Sequence, residues 1–219
     1  MGKFIEIKDK IKSEKTKLIN MWISSFLCLV FAVYNISVGI YHGLAWNTSM
    51  FAYYVCLSLI RFMIAINMQR KINSCVTTSE NMVYFASNLL LFILNVLAIV
   101  PIVLMCMFRK NVNVSTITAI TIATYTCYKV VVSIMKISKI NKRDSMILVA
   151  SDNVDFVDAI MSILTLQNTL ILTFGSVTKS ISVLCIVSSS VFVLFLIVFL
   201  LIALRFSKLC LFLGERSGE

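Results

Sequence analysis

The residues of greatest chemical interest in this sequence are charged side chains set in apolar surroundings. Arg61 stands within SLIRFMIAI and Lys129 within TCYKVVVSI, while Asp152, Asp155 and Asp158 follow one another at a spacing of three. Carboxylates at that spacing share one face of a helix. They can bind a divalent cation, neutralise a base, or complement the positive end of a helix dipole, and the last use explains them most cheaply. The two bases can draw an anionic group or extend to lipid headgroups. Other polar residues recur with the same period: Ser162, Thr165 and Thr169 continue the line of Asp155 and Asp158, and Thr118, Thr121 and Tyr125 lead to Lys129. Tyr54 and Ser58 lead to Arg61, and Asn35, Asn88 and Asn95 add single polar positions elsewhere. Each helix so marked has one polar stripe, and a stripe faces something.

The elements that carry these residues are membrane spans. The chain has 219 residues, 59% of them hydrophobic and only 14% charged, which leaves a water-soluble fold nowhere to hide its apolar surface. Apolar runs fall at about Leu18–Tyr41, Trp46–Met68, Val83–Phe108, Ser115–Met135, Phe156–Phe174 and Ile181–Phe206, each near the ~20 residues needed to cross hydrocarbon. The expected fold is all-α: a polytopic bundle of about six transmembrane helices. The fifth run is the shortest and carries Gln167 and Asn168 near its middle. The segment Met146–Ala150 before it is readable as lying in the inner interface.

The net charge of +10 does not indicate nucleic acid, because the basic residues lie between apolar runs rather than in one patch. Lys3, Lys8, Lys10, Lys12, Lys15 and Lys17 precede the first run, which places the N-terminus in the cytosol by the positive-inside rule. Six crossings then return the C-terminus to the same side. Arg70 and Lys71, then Lys136, Lys139, Lys142 and Arg143, then Arg205, Lys208 and Arg216 are cytosolic, and only Arg109, Lys110 and Lys179 lie outside. Phe4, Ile7, Ile11 and Leu18 at helical spacing among the lysines make residues 1–17 an amphipathic helix on the anionic inner leaflet. Residues 18–206 form the bundle and residues 207–219 a short cytosolic tail. The expected partner is the lipid bilayer, with a second copy of the chain or another membrane protein left open.

Depth brings the charged residues together. Arg61 lies seven residues before the end of the second run, ~10 Å into the span at 1.5 Å per residue, and Lys129 sits at a similar level. Asp158 and Asp155 are the acids nearest that depth, so a cluster of Arg61, Lys129 and Asp158 would satisfy all three. Two functional readings follow. In the first, the protein is a small transporter or channel-like protein whose substrate or ion path includes Arg61, Lys129, Asp158, Asp155, Asn95, Asn35, Thr165 and Tyr125. In the second it is a scaffold or accessory subunit in which the same residues lock the helices.

No enzyme is expected. The sequence has no HExxH, CxxC, GxSxG or Walker loop, and no histidine within a span, His42 being the only one. The seven cysteines are scattered without pairing, so neither disulfides nor a metal site is expected, and no cofactor. Pro101, the only proline, falls inside the third run and should bend it. Gly39 and Gly43 form a GxxxG that fits a tight turn better than a dimer contact. Shared letters around Tyr54, Cys56 and Arg61 and around Tyr125, Cys127 and Lys129 hint at three repeated hairpins.

The stretches SLIRFMIAINMQRK, TYTCYKVVVSIMKISKINKR and DAIMSILTLQN resemble those of uncharacterised six-helix membrane proteins of Gram-positive bacteria. That resemblance implies a bacterial plasma membrane and carries no substrate, reaction or ligand.

Overall fold

A computed structural model of the protein describes residues 2–43, 45–73, 80–100, 116–138, 145–174, 187 and 189–205, with side chains from residue 14 onward except those of 42, 116, 118, 168 and 171–174. All the secondary structure in these residues is helical. The helices are α1 (Gly2–His42), α2 (Ala45–Ile72), α3 (Glu80–Leu97), α4 (Thr116–Ile137), α5 (Met146–Phe174) and α6 (Ser189–Arg205). Among the described residues four segments are long and apolar enough to cross a membrane: Glu14–Tyr41 of α1, α2, α3, and Ala119–Ile137 of α4. Large apolar side chains such as Phe26, Ile40, Ile117 and Ile202 point outward, while Asn35, Ser58, Ser87, Asn88 and Asp158 are enclosed. An apolar exterior around a polar interior suits a bundle solvated by lipid. The chain is an integral membrane protein.

Interhelical contacts fix the relative directions of the helices. Ser25 and Ser58 each donate to the other's carbonyl region across α1 and α2, which run antiparallel, as Asn35 and Asn47 show nearer the turn. Gly43 makes that turn with φ 62°, a conformation that costs L-residues with a Cβ about 1 kcal/mol. At Gly39 a Cβ would stand 2.7 Å from Thr48 Oγ1 and 3.0 Å from Thr48 N. Both glycines therefore serve the hairpin. Helices α3 and α5 run parallel and in register: Ser145, just before α5, and Asn153 of α5 donate to Glu80 and Asn88 of α3, in both cases across 65 residues. Helix α4 runs antiparallel to α5, with Lys129 beside Ser162 and Lys136 beside Asp155.

The central element is α5. Along its length Ile147, Leu148, Ala150, Val154, Val157, Met161 and Leu164 are all buried, and it packs against α2, α3 and α4 and meets α6 through Phe156 with Phe195 and Phe199. Several sequence expectations need correction here. The helix begins at Met146, ten residues before the expected start of the fifth span, and Ile147, Leu148 and Ala150 in its first turns are buried. Asp152, Asp155 and Asp158 consequently lie well inside a helix and do not open one. Helices α3 and α4 both dock on α5 instead of pairing with each other as a repeated hairpin would, because α5 carries the polar partners of both. Trp46 is buried beside the α1–α2 turn.

Residues 2–17 are helical, but they continue into the span without a break, making α1 a helix of 41 residues, about 60 Å long. Pro101, the basic residues Arg109, Lys110, Lys139, Lys142, Arg143, Lys179, Lys208 and Arg216, Asn168's side chain and the tail lie outside the described residues.

Candidate functional site

Helix α2 delivers Arg61 into the bundle interior, 5% exposed, with its guanidinium forked between two carboxylates of α5. Nη1 donates to Asp155 and, at 2.6 Å, to Ser24 Oγ of α1, while Nη2 donates to Asp158 Oδ2 at 2.7 Å. Each carboxylate also holds a lysine of α4. Lys129 Nζ is 2.6 Å from Asp158 Oδ1, and Lys136 Nζ pairs with Asp155 Oδ2. The result is a continuous chain of charges, Lys136, Asp155, Arg61, Asp158 and Lys129, joining α2, α4 and α5. Side-chain exposure falls along it from 38% at Lys136 through 13% at Asp155 to 2% at Asp158, then rises to 16% at Lys129.

The sequence places these groups in contact for a simple reason. Asp155 and Asp158 are three residues apart on α5 and Lys129 and Lys136 seven apart on α4, so each pair occupies one face of its helix. Small residues let the two helices approach: Ala119, Thr126 and Ser133, also seven apart, are the buried positions of α4. The Lys129 ammonium gains further support from Ser162 Oγ at 2.9 Å and from the rings of Phe31 and Tyr125, 5.9 and 5.5 Å to their centroids. Those rings are stacked at 5.0 Å, and desolvated cation–ring contacts of this kind contribute about 2 kcal/mol. On α1, Cys28 Sγ approaches Asp158 Oδ2 at 3.8 Å.

Arg61, Lys129, Asp158 and Asp155 are thus brought together, with Tyr125 beside them. Thr165 lies farther along the seam, returning its hydroxyl to Met161 O and facing Tyr54. Asn35 belongs instead to the α1–α2 hairpin, bonded to Phe31 O and Asn47. Asn95 donates to Leu91 O of its own helix and leaves Oδ1 buried without a hydrogen-bond partner, so it adds nothing to the ion-pair chain. Arg61 Nε and Tyr53 Oη are likewise buried and unbonded, and Asp158 Oδ1 is held by the charge of Lys129 off hydrogen-bond geometry.

Three participants were not visible as site residues in the sequence. Lys136 reads there as a flanking charge, although its seven-residue spacing from Lys129 marks the shared face. Ser24 and Cys28 read as ordinary span residues.

A second polar cluster closes one end of the bundle. Glu80, in the first turn of α3, pairs with Lys71 of α2 at 2.6 Å and accepts from Ser145 Oγ at 2.8 Å and from Met146 N–H at 3.1 Å. Its carboxylate thereby caps α5 from a neighbouring helix, where the free N–H groups and the dipole favour a negative charge. Arg61 lies ten residues from Lys71 along α2, so the ion-pair chain sits about 15 Å from this end.

A small cavity of about 10 Å³ adjoins the chain, lined by Met21, Arg61, Ile64, Ser151 and Val154. No family model, curated protein or solved structure matches this sequence.

Proposed function

We propose that the protein is a small transporter or channel-like protein whose path follows the ion-pair chain. Arg61 and Lys129 draw an anionic group, and Asp155 and Asp158 neutralise the bases when that group is absent. The observation that carries this reading is the burial of two carboxylates between three bases at span depth. Charged groups there cost several kcal/mol each, and well-packed apolar residues would join the helices as firmly. The reading includes no enzymatic step. It sets the chain in the plasma membrane of a Gram-positive bacterium, in the six-helix family its sequence resembles, with both termini cytosolic and the N-terminal lysines against the anionic leaflet.

A scaffold or accessory subunit is the second reading, favoured by the size of the cavity at Arg61. About 10 Å³ accommodates a single water, and the charges already satisfy one another. Purified protein in liposomes separates the two. Uptake of labelled phosphate, chloride or small carboxylates that disappears in Arg61→Gln supports transport. A folded protein that moves none of them, and whose Arg61→Gln variant differs only in stability, favours the scaffold.

A further inference from the structure

The cavity beside Arg61 and the unpaired nitrogen of the same side chain belong together. Arg61 is 5% exposed and two of its three guanidinium nitrogens are bonded, while Nε–H has no partner. A buried donor left unbonded loses its hydration without recompense, more so when charged. The cavity that Arg61 lines has the volume of one water position and a second polar wall, Ser151. The rest of its lining, Met21, Ile64 and Val154, is buried and apolar.

We infer that this cavity is an internal hydration site holding a single water, which accepts from Arg61 Nε–H and hydrogen-bonds Ser151. The water completes the shell of the arginine on the side that faces neither aspartate. Ser151 forms the partly exposed wall of the cavity, so the water meets the ion-pair chain on the α1, α2 and α5 side, away from the lysines of α4. An inorganic anion suits the space less well, because Asp155 and Asp158 already flank the guanidinium and would repel it. This assignment stands whether or not the protein transports anything.

Radiolytic hydroxyl-radical labelling of the full chain in nanodiscs tests it, since radicals formed from a bound water oxidise the side chains around it. Met21 lines the cavity, whereas Met50, Met68 and Met161 are buried elsewhere. Met21 should be oxidised several-fold faster than those three by radiolysis, and the ratio should shrink with added peroxide, which must diffuse in from bulk. Equal radiolytic rates at all four would overturn the site. A structure resolving ordered solvent gives an independent check: density bridging Arg61 Nε and Ser151 Oγ supports the water. An empty cavity refutes it, as does anomalous bromide density at that point.

Discussion

Lys129 and Arg61 hold opposite oxygens of one carboxylate: Asp158 Oδ1 lies 2.6 Å from the ammonium and Oδ2 receives the guanidinium at 2.7 Å. Removing Asp158 therefore leaves Lys129 without an acid and Arg61 with Asp155 alone. Asp158→Asn should lower stability by about 3 kcal/mol, the usual scale for breaking a buried ion pair from one side. Adding Lys129→Gln to it should cost less than the sum of the single losses, because the sites are coupled. Unfolding of the four proteins in mixed micelles measures this, and strict additivity would contradict the geometry.

The two lysines of α4 should differ in weight. Lys129 is 16% exposed and rests on two rings, whereas Lys136 is 38% exposed and partly screened. Without large buried apolar residues, α4 depends on these pairs and on close small-residue packing. Lys129→Met should raise amide hydrogen exchange along α4 strongly, and Lys136→Met only near Ile137. Equal effects would mean that exposure does not set the strength of the contact.

Much of this site can be read from the sequence, and the limits have physical causes. Arg61, Lys129, Asp155 and Asp158 stand out because charge within an apolar run needs a partner, and depth along each helix selects which partners are within reach. Lys136 escapes because it sits at a helix end, where solvation by headgroups is an equally good account. The start of α5 escapes for a related reason. Three acids between residues 152 and 158 look like the polar opening of a helix until bases on two other helices are known to neutralise them. The link between Glu80 and Ser145 has no local signal at all, since its partners are 65 residues apart.

Close approach at the first hairpin sets a further expectation. Gly39→Ala places a methyl 2.7 Å from Thr48 Oγ1 and 3.0 Å from Thr48 N. The hydroxyl can rotate away, but the backbone nitrogen cannot move without separating α1 from α2. Overpacking of this kind costs about 1–3 kcal/mol, which thermal unfolding of the variant should show. Thr48→Ala in the same chain should recover only the part due to the hydroxyl.

Membrane orientation can be tested with thiols once all seven native cysteines are replaced by alanine. With cytosolic termini, a cysteine at Asn47 beside the α1–α2 turn should react with an impermeant reagent added outside intact cells. One at Lys17 should react only after permeabilisation. The reverse pattern would invert the proposed topology and place the Glu80 cluster on the outer face.

Glu80 offers the most local test of how the bundle is closed. Its carboxylate answers the Lys71 ammonium, the Ser145 hydroxyl and the Met146 N–H together, so it both caps α5 and ties α2 to α3. Glu80→Gln keeps an acceptor for the hydroxyl and the amide but loses the charge, whereas Glu80→Ala loses both. Lys71 and Glu80 are about a third exposed, which makes their ion pair a small contribution. The cap itself carries about 1 kcal/mol, typical of an N-cap acceptor. Glu80→Gln should therefore leave exchange of the first-turn amides of α5 nearly unchanged, and Glu80→Ala should accelerate it about fivefold, the factor that ~1 kcal/mol represents at room temperature. Equal acceleration in both variants would assign the stabilisation to charge rather than to the hydrogen bonds, and no acceleration in either would show that Ser145 caps the helix unaided.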